Sequence, residues 1–184
     1  MGRGGAVLGL IGIILGAGGI AFGYFIWRGQ NNNLTQPKLV GVWDGLADNQ
    51  DYTPYNALNN WLLEFGDNEL NNTDYISVSN TDTRIVLLKS GWYRIHLSMV
   101  LMSISPSSIY TIKLLKDGII EFFFNYYEII GVIDSQYHSV DSSGFVYSNG
   151  TNYIEINGES LLGDNFFVHS IDYYNQLTIE FVTL

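Results

Sequence analysis

The sequence predicts an all-β head, a sandwich or barrel, behind a single N-terminal transmembrane helix. Three observations carry this. Residues 4–27 form an uncharged run of 24 residues. Beyond residue 40, apolar side chains recur at every second position, the period of a half-buried strand. Asp117-Gly118 and Asn149-Gly150 stand between β-type runs, where both turn residues tolerate positive φ. The length, 184 residues, suits one domain of about 150 residues plus a short extra segment.

The apolar run comes first. At 1.5 Å per residue a helix of this length spans roughly 36 Å, more than the ~30 Å hydrocarbon core. It holds eleven Val, Leu, Ile or Phe, which favour insertion by roughly 3–7 kcal/mol before any glycine penalty. Tyr24 and Trp27 close it, where amphipathic rings suit the headgroup zone. Gly5, Gly9, Gly12, Gly16, Gly19 and Gly23 make three successive GxxxG pairs. At 100° per residue they fall within about 80° of one face, flat enough for a second helix backbone to approach closely. Residues 1–29 therefore read as a glycine-rich membrane helix that packs against another helix. A cleaved signal peptide, with Gly19-Ile20-Ala21 as the small-x-small site, and a prepilin-like leader cut at Arg3-Gly4 are the competing readings. The apolar run continues past the first of these sites to Trp27, which favours an uncleaved anchor.

Residues 30–39 are a polar, Asn-rich linker with Pro37 near its end, reaching at most about 30 Å. Sequons at Asn33, Asn71 and Asn149 fit a head outside the cell. The cationic flanks, Arg3 before the run and Arg28 after it, bias orientation only slightly. The expected placement is single-pass in the cell membrane, N-terminus inside and C-terminal domain outside.

Residues 40–184 read as strands. Tyr93, Ile95, Leu97, Met99 and Leu101 make one apolar face opposite Trp92, Arg94, His96, Ser98 and Val100. Leu177, Ile179 and Phe181 alternate with Thr178, Glu180 and Val182. Residues 111–115 and 119–123 flank Lys116-Asp117-Gly118 as a hairpin, and Asn149-Gly150 joins 144–148 to 153–156 in the same manner. Residues 56–65 read as loop and short strand. Regularly spaced strands over about 145 residues specify a sandwich or barrel.

Composition excludes several functions. Net charge is −10, from 8 basic and 18 acidic side chains; such a surface repels nucleic acid. With 47% hydrophobic and 15% aromatic residues, disorder is excluded. Zero Cys removes disulfides, thiolate metal sites and Cys nucleophiles. His96, His138 and His169 lack metal-ligand spacing. Asp44, Asp48 and Asp51, with Asn49, make an oxygen-rich loop without EF-hand spacing; Glu64, Asp67 and Glu69 form a second acidic group. Both read as solvated loops. No nucleophile elbow or phosphate loop occurs. The expectation is no enzyme, no cofactor and no metal.

The stretches 72–77, 83–87 and Ser90-Gly91-Trp92-Tyr93-Arg94-Ile95, followed by 110–118 and 177–184, resemble the C1q/tumour-necrosis-factor-like jelly roll. The resemblance covers about residues 40–184. The aromatic-Gly pair usual in that family's last strand is absent; Thr178-Ile179-Glu180-Phe181 stands there. The resemblance implies a ten-strand jelly roll, non-enzymatic, packed as a homotrimer through aromatic and aliphatic side chains. It makes Tyr126, Tyr127, Tyr173 and Tyr174 candidates for the oligomer interface. The function expected is a membrane-anchored surface protein whose head contacts a ligand, a neighbouring surface protein or a coat lattice. The alternative is a pilin- or archaellin-like filament subunit assembled through its N-terminal helix. The break at 30–33 and Pro37 interrupts the continuous helix such subunits use.

Overall fold

A computed structural model describes residues 36–66, 68–131 and 136–182. The glycine face, Asn33 and Asp67 lie outside them. The chain divides into two units between Gln36 and Pro37, and the strands of the described residues all belong to the second. Among the described residues no helix is long and apolar enough to cross a membrane.

The strands, in chain order, are β1 (Lys38–Trp43), β2 (Leu46–Asn49), β3 (Asn56–Ala57), β4 (Asn60–Phe65), β5 (Asn68–Asn71), β6 (Ile76–Ser79) and β7 (Arg84–Leu87). Then come β8 (Ser90–Met102), β9 (Ile109–Lys116), β10 (Ile119–Glu128), β11 (Tyr137–Asn149), β12 (Tyr153–Ser160), β13 (Phe167–Val168) and β14 (Gln176–Val182). They form two antiparallel sheets. The first runs β11-β8-β14-β1-β5 and the second β10-β9-β12-β4-β2. The pairs are nested: β1 with β14, β4 with β12, β8 with β11, β9 with β10. A long antiparallel ribbon wrapped into two layers gives this nesting, which is the jelly-roll order. Ten strands lie on the two main paths; β3, β6, β7 and β13 are additions to them.

The apolar face read on β8 is the core face. Tyr93, Ile95, Leu97, Met99 and Leu101 are all buried there, beside Leu177 and Ile179 of β14. Ile112 and Leu114 of β9 and Ile154 and Ile156 of β12 are buried on the core face of the second sheet. The buried Trp61 and Tyr93 have partners for the N–H and O–H groups they carry into the core. The Trp61 indole donates to the Phe166 carbonyl at 3.0 Å. The Tyr93 hydroxyl accepts from Lys89 N at 3.0 Å and lies 3.1 Å from the Tyr75 carbonyl. Gly158 faces Trp61 across the β12–β4 pair, and a Cβ there would collide with the indole. Gly144 of β11 lies under the Phe122 ring of β10 in the same way.

The Lys116-Asp117-Gly118 hairpin forms between β9 and β10, with φ of 51° and 78° at Asp117 and Gly118. The Asn149-Gly150 expectation requires correction. β11 and β12 do not pair with each other; β11 joins the first sheet and β12 the second. This turn is a corner between layers. Its residues fold on themselves: Asn149 Oδ1 accepts from Thr151 N at 2.9 Å, and Asn152 Oδ1 accepts from Asn149 N at 2.8 Å. Two flanking strands each with one apolar face suit either a hairpin or a sheet switch, so local alternation does not separate them.

Candidate functional site

The two outer faces differ. On the second sheet the outward side chains of β9 and β12 are themselves buried: Thr111, Lys113 and Leu115, opposite Glu155 and Asn157. A face of this kind ordinarily meets water. Here its charges are paired, which burial demands. The Lys113 ammonium meets the Glu159 carboxylate. Arg84 Nε and Nη2 both donate to Glu155 Oε1, at 3.0 and 2.8 Å. Asn157 Nδ2 donates to Asn60 Oδ1 and the Trp61 carbonyl, at 2.9 and 2.8 Å. The segment between β2 and β4 borders this face at one end. Tyr52, Pro54 and Tyr55 line a cleft of about 460 Å³ with Arg84, Tyr153 and Glu155. The Arg84 guanidinium lies 3.8 Å from the Tyr153 ring centre, a cation–π contact. Burial, and after it the Glu155 and Glu159 carboxylates, raise the Tyr55 phenol above its ordinary pKa.

On the first sheet the outer face stays open. Trp92, Phe145 and Tyr147 are 38%, 55% and 45% exposed. They project from β8 and β11, where Tyr147 pairs with Trp92 and Phe145 with Arg94. The Trp92 and Tyr147 rings meet edge to face at 5.5 Å. Leu39 on β1, opposite Glu180, is also exposed. Glu180 Oε2 is buried with no hydrogen-bond partner; Arg94 Nε is 3.3 Å away but out of hydrogen-bonding line. Further along the same face lies an open acidic cleft of about 580 Å³, with Asp44, His96, Asp141 and Asp172 among its walls. His96 Nε2 sits 3.4 Å from Asp141 Oδ1.

The sequence-selected residues fall in different places. Tyr173 and Tyr174 occupy a short 3-10 turn, Asp172–Tyr174, before β14, with ring centres 4.6 Å apart. Both border the acidic cleft. Tyr126 and Tyr127 belong to β10, at the edge of the other sheet. Tyr126 is exposed, whereas Tyr127 stacks on His138 at 3.7 Å. Burial lowers the His138 pKa. His169 contacts Tyr137 and Tyr174. Asn71 and Asn149 are exposed at strand ends.

The acidic loop is not one solvated group. Asp48 Oδ1 accepts from Val168 N at 3.1 Å, fastening β13, and burial raises its pKa. Asp44 turns up instead in the acidic cleft. Glu64 accepts from Asn49 at 2.7 Å. Among the described residues no three His, Asp or Glu side chains are grouped to hold a metal ion.

Sequence reasoning missed the paired face of the second sheet. Its signal was present: Glu155, Asn157 and Glu159 alternate with core residues on β12, and Lys113 interrupts the apolar run of β9.

No protein-family model matches the chain, and no curated protein matches it. Two crystal structures of murine APRIL, at pH 8.0 and pH 8.5, are similar in fold. The first is 11% identical with a TM-score of 0.49, covering 77% of this chain and 98% of that one. The second is 11% identical with a TM-score of 0.48, covering 79% and 99%. The order of the strands in the two sheets, not these likenesses, establishes the jelly roll.

Proposed function

We propose that this chain is a non-enzymatic surface protein, held in the cell membrane by its N-terminal helix with the head outside. The head makes protein contacts and assembles as a homotrimer. The observation that supports this reading is the open face of the first sheet. A solvated antiparallel face is ordinarily polar, yet this one exposes Trp92, Phe145 and Tyr147 together, with Leu39 on the far side of Glu180 and Arg94. Beside them stands Glu180, whose Oε2 is ion-paired with Arg94 at 3.3 Å but accepts no hydrogen bond. A cluster of exposed aromatic rings beside an ion pair fits a protein partner. Closed symmetry lets copies of one chain cover it, and aligned glycine faces in the anchors would associate alongside. Three heads on one assembly raise effective concentration toward a ligand or neighbouring surface protein, and hence avidity.

Native mass spectrometry of the full-length chain in mild detergent tests this. A trimer is expected, and Trp92→Ser with Phe145→Ser is expected to shift it to monomer. Monomer alone in the unaltered protein overturns the reading. Gly12→Leu with Gly16→Leu is expected to weaken association of the anchor without unfolding the head. Resistance of the chain to alkaline extraction from membranes, with the head protease-accessible from outside, tests the anchor and its orientation.

A further inference from the structure

The cleft bordered by Tyr52, Tyr55, Arg84, Tyr153 and Glu155 has no part in the trimer reading, since it opens beside the second sheet. We propose that it binds a neutral saccharide.

Three features of the cleft point to that chemistry. Its volume, about 460 Å³, lies in the range of small-molecule sites, about 300–1,000 Å³. Its lining combines the phenol side chains of Tyr52, Tyr55 and Tyr153 with polar groups. Phenol rings are side chains on which the C–H face of a pyranose can pack. The phenol hydroxyls of Tyr52, Tyr55 and Tyr153 have no protein partner among the described residues, so they remain for ligand hydroxyls. Arg84 spends two of its five N–H donors on Glu155. The Arg84 side chain is 33% exposed while Glu155 is 5% exposed, so the donors that remain are on the accessible partner. Asn80 adds a side-chain carbonyl: its Nδ2 donates to Thr83 Oγ1 at 3.0 Å, and its Oδ1 has no described partner.

Charge selects the class. Arg84 and Glu155 are the charged residues lining the cleft and are paired with each other, so the lining offers no net charge to an ion. The chain as a whole carries −10, which disfavours sulfated or sialylated glycans. A proline-rich peptide is the rival occupant, since it docks on rows of bare aromatic faces. Here the Tyr153 face is already covered by Arg84, which leaves too short a row.

The test uses the full-length chain in a non-glycosidic detergent, because maltoside or glucoside headgroups would compete. A glycan array of neutral, sialylated and sulfated saccharides is followed by saturation-transfer NMR with the saccharides that score. Saturable binding to a neutral saccharide is expected. Tyr55→Ala should weaken it about tenfold, the scale of one lost aromatic stack and its hydrogen bond. Arg84→Lys, which keeps the charge but loses the planar fork, should also weaken it. Tyr173→Ala, in the acidic cleft, should leave saccharide binding unchanged, and neither Tyr55→Ala nor Arg84→Lys should alter the oligomer. Silence across the array, binding confined to charged glycans, binding insensitive to Tyr55→Ala, or capture of a proline-rich peptide instead would each overturn the proposal. A monomeric protein that still binds the saccharide would overturn the trimer alone.

Discussion

The outer faces of the two sheets start from the same architecture and end in opposite states. On the second sheet, outward residues such as Lys113, Glu155 and Asn157 are buried and matched within the chain. On the first, Trp92, Phe145 and Tyr147 face outward and remain exposed to between 38% and 55%. A buried charge without a partner costs several kcal/mol, whereas an exposed aromatic costs little until a partner arrives. One face is therefore finished by folding, and the other remains available to association. The contrast also separates the two functional proposals: contact between copies on the open face, small-ligand recognition beside the closed one.

Substitutions can break this contrast from either side. The largest effect is expected at Lys113. Lys113→Ala leaves Glu159 without its cation beside a buried face and should lower unfolding free energy by about 2–3 kcal/mol, somewhat below the 3–5 kcal/mol typical of a fully buried pair. Urea denaturation measures it. A second change, Glu159→Gln, should recover part of that loss. If Lys113→Ala is silent, the pair is solvated and the face is not closed.

The open face should respond the other way. Trp92→Ser with Phe145→Ser should leave head stability within about 0.5 kcal/mol per site, as for surface positions, while abolishing the trimer. A head that unfolds instead would place those rings in its own core.

The smallest effect concerns His138, which bridges β10 and β11 by stacking on Tyr127. Burial lowers its folded-state pKa. The native state then holds fewer protons than the unfolded chain just below the histidine's ordinary 6.5. Its contribution is therefore present above that pH and lost as pH falls through the lowered folded value. Thermal unfolding between pH 7.5 and pH 5 should show this slope, and His138→Gln should flatten it. An unchanged slope in the variant would assign the dependence to other groups.

Legibility varied from element to element. The β8 alternation named its core face because a two-residue period admits only two faces. Asp117-Gly118 announced its turn because few residues accept two positive φ values in succession. Asn149-Gly150 looked equivalent, yet it joins different sheets. The choice depended on β12 finding β4 and β9, far away in sequence. Tyr126 and Tyr127 were legible as aromatics but not as unlike: one is exposed, the other stacked on His138. The saccharide cleft was illegible, because Tyr55, Arg84 and Tyr153 are distant along the chain and meet only once β7 pairs with β12.

By itself, the sequence determined the β class, the apolar faces of β8 and β14 and the absence of thiol chemistry, since these follow from residue type and local period. The tertiary structure alone decided which outward face would close over its charges and which would stay open. That outcome depends on the pairing of strands far apart in the chain, and local patterning carries no information about it.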